Sequence, residues 1–318
     1  MKMRFLYLLF AFSLIISCTD EDDNNNVING PSALDFVSES PDHTILLQAL
    51  ERTRLDESLE TSNNLTIFAP NDNAFRQFLA ANNFGSVNSI PEDLLTLVLQ
   101  YHIQNEVKTT DQLGSQYFKT LATVDNDQLD VFVSKDEEDN LRLNNEADVI
   151  LADEIVSNGV IHVIDDVLDI PSVVTLIAAN PDFDLLEESL RQEGLAVTLD
   201  DLEDASAPFT VFAPSDAGFQ AFIDEDEEDG FEDSDDVLEL DNLDDILLYH
   251  VLGDNALRLE DFEDGSTIGP LGDGTFLLAT SSGFTIADEN DRITTIVTTN
   301  ITAFNGVIHS LDNILLPE

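Results

Sequence analysis

Four of the five histidines sit in two recurring settings. His102 and His250 each follow a tyrosine, as Tyr101-His102 and Tyr249-His250, and His162 and His309 each close the run Asn-Gly-Val-Ile-His. An imidazole can serve as a base, a metal ligand or a switchable charge. A zinc centre wants three or four such ligands. Neither His-Glu-x-x-His nor a His-x-His pair occurs, and His102 and His162 lie 60 residues apart. Nucleophilic chemistry has less support, because there is no Gly-x-Ser-x-Gly elbow. Ser215, in the most clearly repeated block, is matched by Asn71 in the other copy. A hydroxyl that exchanges for an amide reads as a helix cap. The imidazoles therefore read as internal hydrogen-bonding groups, and no enzymatic activity is expected.

The elements that carry these residues are themselves repeated. Pro41-Asp42 returns as Pro181-Asp182, Thr66-Ile67-Phe68-Ala69-Pro70 as Thr210-Val211-Phe212-Ala213-Pro214, and Asn158 to His162 as Asn305 to His309, at offsets of 140 to 148 residues. Blocks in one order at nearly constant offset mean a duplicated domain. The first copy is placed at 32–171 and the second at 172–318, with almost no linker between them. Each copy opens with helical spacing (Ile45, Leu46, Ala49 and Leu50; Leu185, Leu186 and Leu190). A short strand follows, Leu65 to Phe68 or Phe209 to Phe212, ended by Ala-Pro. Asn71 and Ser215 then cap helices carrying Phe75 and Phe78, or Phe219 and Phe222. Pro91 can start another helix. Strands come late: Leu129 to Val133, Ala147 to Leu151, and Phe276 to Ala279, Phe284 to Ala287 and Ile293 to Thr298. Asn-Gly supplies a turn before a last strand, Val160 to Leu168 or Val307 to Leu315. The fold class is α+β, twice over.

The first residues read as a targeting signal. Lys2 and Arg4 precede an apolar run from Phe5 to Ile16, the length of a signal-peptide core and too short to span a bilayer. The run ends at Leu14-Ile15-Ile16-Ser17-Cys18, which resembles the lipobox of bacterial lipoproteins. That resemblance implies a signal peptide over 1–17, lipidation of Cys18 and a membrane anchor. Cys18 is the only cysteine, so no internal disulfide can form. Residues 18–31 form an acidic, Asn-rich tether. Acidity just after the lipid-bearing Cys resembles the surface-export signal of Bacteroidetes lipoproteins. It implies the outer face of the bacterial outer membrane.

The repeated blocks resemble those of the fasciclin domain: TIFAPNDNAF (Thr66 to Phe75) and TVFAPSDAGF (Thr210 to Phe219), the two Tyr-His elements, and NGVIHVIDDVL (Asn158 to Leu168) and NGVIHSLDNIL (Asn305 to Leu315). The resemblance implies two tandem domains, each a β-sandwich or wedge with several packed helices. It also implies adhesion or binding of extracellular matrix, with no catalytic activity in common. In animal members the region around the Tyr-His element is implicated in integrin binding, which nominates Tyr101, His102, Tyr249 and His250 as contact residues. The chain has no Arg-Gly-Asp sequence.

Acidity bounds the partners. Twelve Lys and Arg against 65 Asp and Glu give a formal charge of −53, a field that repels nucleic acid. The run Asp224 to Asp245 could thread a calcium loop through Glu225, Glu227, Asp229 and Asp236, loosely like an EF-hand; the plainer reading is a solvated loop. No other cofactor is expected. The leading expectation is an adhesive surface lipoprotein for matrix, cell-surface or glycan ligands. The alternative is a glycan- or ligand-capturing lipoprotein serving a polysaccharide-uptake system, although the chain has no Trp.

Overall fold

The computed structural model describes residues 30–192, 202–203, 208–225, 231, 233–280 and 283–318. Cys18, the proposed signal segment and most of the tether lie outside the described residues, as do Glu227 and Asp229.

The first domain begins with three helices, α1 (Ala33–Glu39), α2 (Thr44–Thr53) and α3 (Leu55–Thr61). Strand β1 (Leu65–Pro70), α4 (Asp72–Ala81), α5 (Glu92–Tyr101) and the short β2 (Ile103–Gln104) follow. Five strands then complete the domain: β3 (Gln116–Val124), β4 (Asp127–Lys135), β5 (Leu141–Leu143), β6 (Ala147–Val156) and β7 (Gly159–Ile164). The second domain repeats the plan. It has α6 (Val173–Ala178), α7 (Asp184–Leu190), β8 (Phe209–Pro214), α8 (Asp216–Ile223), α9 (Ser234–Leu238), α10 (Leu243–Tyr249) and β9 (Val251–Leu252). Its remaining strands are β10 (Thr267–Ile268), β11 (Phe276–Ala279), β12 (Thr285–Ala287), β13 (Ile293–Ala303) and β14 (Gly306–Leu311).

Each domain has one seven-stranded sheet, in the order β2-β1-β7-β6-β5-β4-β3 or β10-β11-β12-β13-β14-β8-β9. All neighbours are antiparallel except β1 with β7 and β8 with β14, which run parallel. The sheet curls because its long strand is bulged. Pairing of β6 with β7 slips between Val149 and Leu151 and again before Glu154, and β13 slips at the corresponding places. Asp153 and Asn300 take positive φ there, +58° and +55°. A bulge bends its strand and raises the local twist, so one sheet supplies both walls of a wedge.

Two apolar layers result in each domain. In the first, Ile67 faces the helices with Leu50, Phe75, Leu99 and Ile161. Phe68, the next residue, faces the wedge interior with Tyr101, Val131 and Leu168. Buried on both sides, β1 reads as a continuous apolar run. Asn71 caps α4 by accepting from Asn73 N and Ala74 N, both at 2.9 Å, and Ser215 caps α8 through Gly218 N. Pro91 sits at the cap position, one residue before α5. The last strands stop at Ile164 and Leu311, short of the Leu168 and Leu315 anticipated from the apolar pattern.

The two domains pack directly on one another. Phe304 N donates to Pro171 O at 2.9 Å, and Tyr117 Oη donates to Leu176 O at 2.7 Å. Between them Asp130 accepts from Lys119 Nζ and from Thr302 N, both at 2.6 Å. Lys119 Nζ also reaches Asn300 O and Thr302 Oγ1 at 3.1 Å, and Arg258 pairs with Asp127 at 2.8 Å. Burial raises the Asp130 carboxyl's pKa, and the Lys119 ammonium opposes that shift.

Candidate functional site

The repeated histidines lie at the junction of helices and sheet, and each is held at both ring nitrogens. His102 follows the last turn of α5; its Nδ1 faces Val98 O at 2.7 Å and its Nε2 accepts from Leu168 N at 3.0 Å. His250 does the same with Ile246 O at 2.7 Å and Leu315 N at 2.9 Å. A carbonyl can only accept, so Nδ1 carries the proton in both rings. In the second pair the roles reverse. His162 Nε2 faces Lys108 O at 2.9 Å while Nδ1 accepts from Asp153 N at 3.3 Å. His309 Nε2 faces Leu257 O at 2.8 Å, and Nδ1 accepts from Asn300 N at 3.4 Å. These rings stack on Phe68 and Phe212, with centroids 5.6 Å apart in each case.

Burial pushes His102, His250 and His309 down to about 4 and lowers His162 as well. All four are therefore neutral imidazoles at ordinary pH. Their lone pairs are committed to backbone N–H groups, so they hold chain segments together. No group of three or more His, Cys, Asp or Glu among the described residues is placed to hold a metal.

The tyrosines point the same way. Tyr101 Oη donates to Asp130 O at 2.7 Å, and Tyr249 Oη donates to Thr275 O at 2.6 Å, each joining a helix to the far wall of the wedge. Tyr101, His102, Tyr249 and His250 are all buried. The family resemblance had nominated them as contact residues; the structure places all four inside, each phenol crossing the wedge and each imidazole closing a helix end.

Two further repeated residues have a larger role than the sequence suggested. Asn158, read as turn chemistry, accepts from Ala33 N at 2.9 Å and donates to Leu59 O at 2.7 Å, tying α1 and the end of α3 to the last hairpin. Asn305 accepts from Val173 N at 2.9 Å and donates to Leu202 O at 2.7 Å. The glycines beside them are needed for close approach. A Cβ at Gly159 would lie 2.1 Å from Leu65 O, and one at Gly306 2.4 Å from Phe209 O. Asp72 accepts from Ile45 N at 2.8 Å and Asp216 from Leu185 N at 3.0 Å, so each links one helix to the start of another. Recurrence in both copies was the available signal for all of these.

Of the proposed calcium set, Glu225 and Asp236 lie among the described residues. Glu225 pairs with Arg292 at 2.7 Å and also accepts from Asn313 Nδ2. Arg292 in turn donates to Ile314 O at 2.7 Å and lies over the Phe222 ring. Asp236 accepts from Asp233 N at 3.3 Å as part of the cap of α9. Both carboxylates thus serve as clamps of the fold.

A surface that does differ between the copies opens on the first domain. A cleft of about 450 Å³ lies between α1, the start of α4 and the outer face of β6. Arg76, largely exposed and 3.5 Å from Asp72, stands on one side. Exposed Ile150 and Leu151 form an apolar shelf on the other, with Phe36 and the Ser40 hydroxyl at the end. A concave site with an apolar floor and a few polar groups is the usual form of a ligand site. In the second copy the repeat places Gln220 where Arg76 stands and Phe183 where His43 stands. Residues 76 and 150–151 are far apart in the chain, so spacing alone could not assemble this cleft.

The profile of the family described as the fasciclin domain matches residues 41–171 and 181–317. The chain belongs to the fasciclin family. Its two fasciclin domains are similar to a fasciclin-like arabinogalactan protein of Arthroderma benhamiae, 26% identical over 294 residues, 89% of this chain and 66% of that one. They are also similar to the transforming growth factor-beta-induced protein ig-h3 of Sus scrofa, 27% identical over 83% of this chain and 36% of that one. The chain thus spans between about a third and two thirds of the length of these two relatives. The fold matches the solved FAS1 domain pair of the insect cell adhesion molecule fasciclin I, with a TM-score of 0.53 and 19% identity over 86% of this chain and 97% of that one. Two tandem FAS1 domains, each a curled sheet with packed helices, are therefore shown.

Proposed function

We propose that this protein is a non-catalytic adhesin, anchored to the bacterial outer membrane through a lipid on Cys18 and binding matrix, cell-surface or glycan ligands through its first domain. The carrying observation is the contrast within the molecule. Repeated polar residues are spent on backbone hydrogen bonds in both copies, whereas Arg76 and His43, replaced in the second copy, line an open cleft beside the repeated Asp42 and Asp72. Kinship with a domain pair from an insect cell adhesion molecule supports the reading. Several acyl chains, each contributing about 0.8 kcal/mol per buried CH₂, would hold the protein at the membrane.

The test is attachment of whole cells. Cells carrying Arg76→Glu with Leu151→Asp should attach about tenfold less than wild type, a loss of ~1.4 kcal/mol in binding, at equal surface amounts. Cys18→Ser should release the protein from the membrane fraction. Unchanged attachment in the double variant and in a deletion strain would overturn the adhesive reading.

The cleft's mixture of hydrogen-bonding groups and an apolar shelf also favours a second reading, capture of a glycan for a polysaccharide-uptake system. In that case Arg76→Glu lowers binding of soluble polysaccharide and growth on it, and leaves attachment as it was.

A further inference from the structure

The contact between the two domains is heterologous: the β4 side of the first meets the α6–β13 side of the second. Because both domains share one register, each side of that contact has a counterpart elsewhere in the chain. The tyrosine bonds fix the correspondence. Tyr101 reaches the carbonyl of Asp130 and Tyr249 that of Thr275, so Phe132 corresponds to Leu277. Strand pairing agrees, since Phe132 lies opposite Tyr117 and Leu277 opposite Thr267 at the same place in the sheet. Phe132, with β13 and α6 packed against its strand, is 2% exposed; Leu277, with nothing described beyond it, is 47% exposed.

The other side behaves alike. Thr302 pairs with Val307 and Ile155 with Val160, each in the last hairpin of its domain. Thr302, covered by the first domain, is 1% exposed, whereas Ile155 is 50% exposed. Phe36, at the place of the buried Leu176, is only partly covered. The chain therefore ends in two apolar surfaces that are the unmatched halves of a contact it already makes once.

We propose that copies of this protein associate head to tail, the β11 face of one second domain docking on the β6 and α1 face of the next copy's first domain. The repeated version lacks both ions of the existing bridge, since by the same register Gly269 stands where Lys119 does. Thr275 stands where Asp130 does, and Ile155 where Thr302 does, so the repeated version carries no counterpart of the Asp130 carboxylate. That matters for a chain at −53, whose copies repel unless salt screens them. A heterologous contact of this kind extends from copy to copy, into open rows unless its rotation closes a ring. The proposal goes beyond ligand binding: the docking face adjoins the cleft and shares Phe36 with it, but Ile155 and Leu277 lie outside the cleft lining and test association separately.

Sedimentation velocity of the full chain at about 0.5 M NaCl, where the screening length is under ~8 Å, tests it. The wild type should form dimers and longer species as concentration rises. Leu277→Asp and Ile155→Asp should each weaken association at least tenfold while keeping the wild-type circular dichroism and Tm, since both side chains are half exposed. An equimolar mixture of the two variants should form dimers and nothing longer, because each supplies the one face the other lacks. A monomeric wild type, single variants that associate normally, or a mixture that stays monomeric would each overturn the proposal. Arg76→Glu serves as a control that must leave association unchanged. Its failure to bind ligand or attach cells would therefore not be confused with a failure of self-association.

Discussion

In the first domain His102 joins Val98 to Leu168; in the second, His250 joins Ile246 to Leu315, with the same nitrogens in the same roles. The surfaces around these matched interiors are unlike. Seven basic residues fall within 32–171 and three within 172–318. Of those three, Arg258 is used at the domain contact and Arg292 holds the C-terminal segment. The second domain is left with a strongly anionic exterior, and the first keeps the exposed Arg76 beside an apolar shelf. Two copies that agree inside and diverge outside show which residues build the domain and which suit it to a partner.

The comparison can be broken at its strongest point by truncating the paired asparagines. Asn158→Ala and Asn305→Ala each leave several buried backbone groups without partners and should cost about 3 kcal/mol. Denaturant unfolding should return similar losses for the two; a loss in one copy only would break the equivalence. Next comes the contact that makes the copies unequal. Lys119→Met leaves the Asp130 carboxylate facing Thr302 N without its cation and should cost ~2 kcal/mol, between the values for exposed and buried pairs. Calorimetry should then resolve two transitions where the wild type shows closer coupling.

Acid sharpens the comparison further. His102, His250 and His309 titrate near 4 in the folded protein and near 6.5 when unfolded. Between those values the unfolded chain takes up protons that the native rings refuse. Their contribution therefore lowers stability as pH falls through that window, with no further loss below about 4. Imidazole nitrogen spectra at pH 5 should show neutral rings for three of them, Nδ1–H for His102 and His250 and Nε2–H for His309. A charged ring at that pH would refute the assignment. The smallest effect on stability belongs to Arg76→Ala, within about 0.5 kcal/mol as for an exposed side chain, and its consequence should appear only in binding.

Local signals carried much of this fold. The run Leu65 to Phe68 is rich in β-favouring residues, and Asn71 and Ser215 stand immediately before amphipathic helices, so β1, β8 and the caps were readable one segment at a time. Strand β3 was not. Tyr117 and Lys119 belong to its outer face, which the second domain covers, and no alternation marks it. The imidazoles of the Tyr-His pairs were readable as internal hydrogen-bonding groups, but their partners were not. Those of the tyrosines are the carbonyls of Asp130 and Thr275, which only the tertiary fold brings across the wedge. The cleft needed Arg76 and Leu151 to meet, and the curl of the sheet decides that.

The parallel pairing of β1 with β7, and of β8 with β14, also governs when each domain can form. The strand laid down first in each sheet lies beside the one synthesised last, so its ladder stays incomplete until the end of the domain has left the ribosome. Contacts spanning nearly a whole domain must wait for loop closure and slow its acquisition. A nascent chain delayed in this way keeps each domain's sheet open along one edge of its first strand for nearly the whole time that domain is being made.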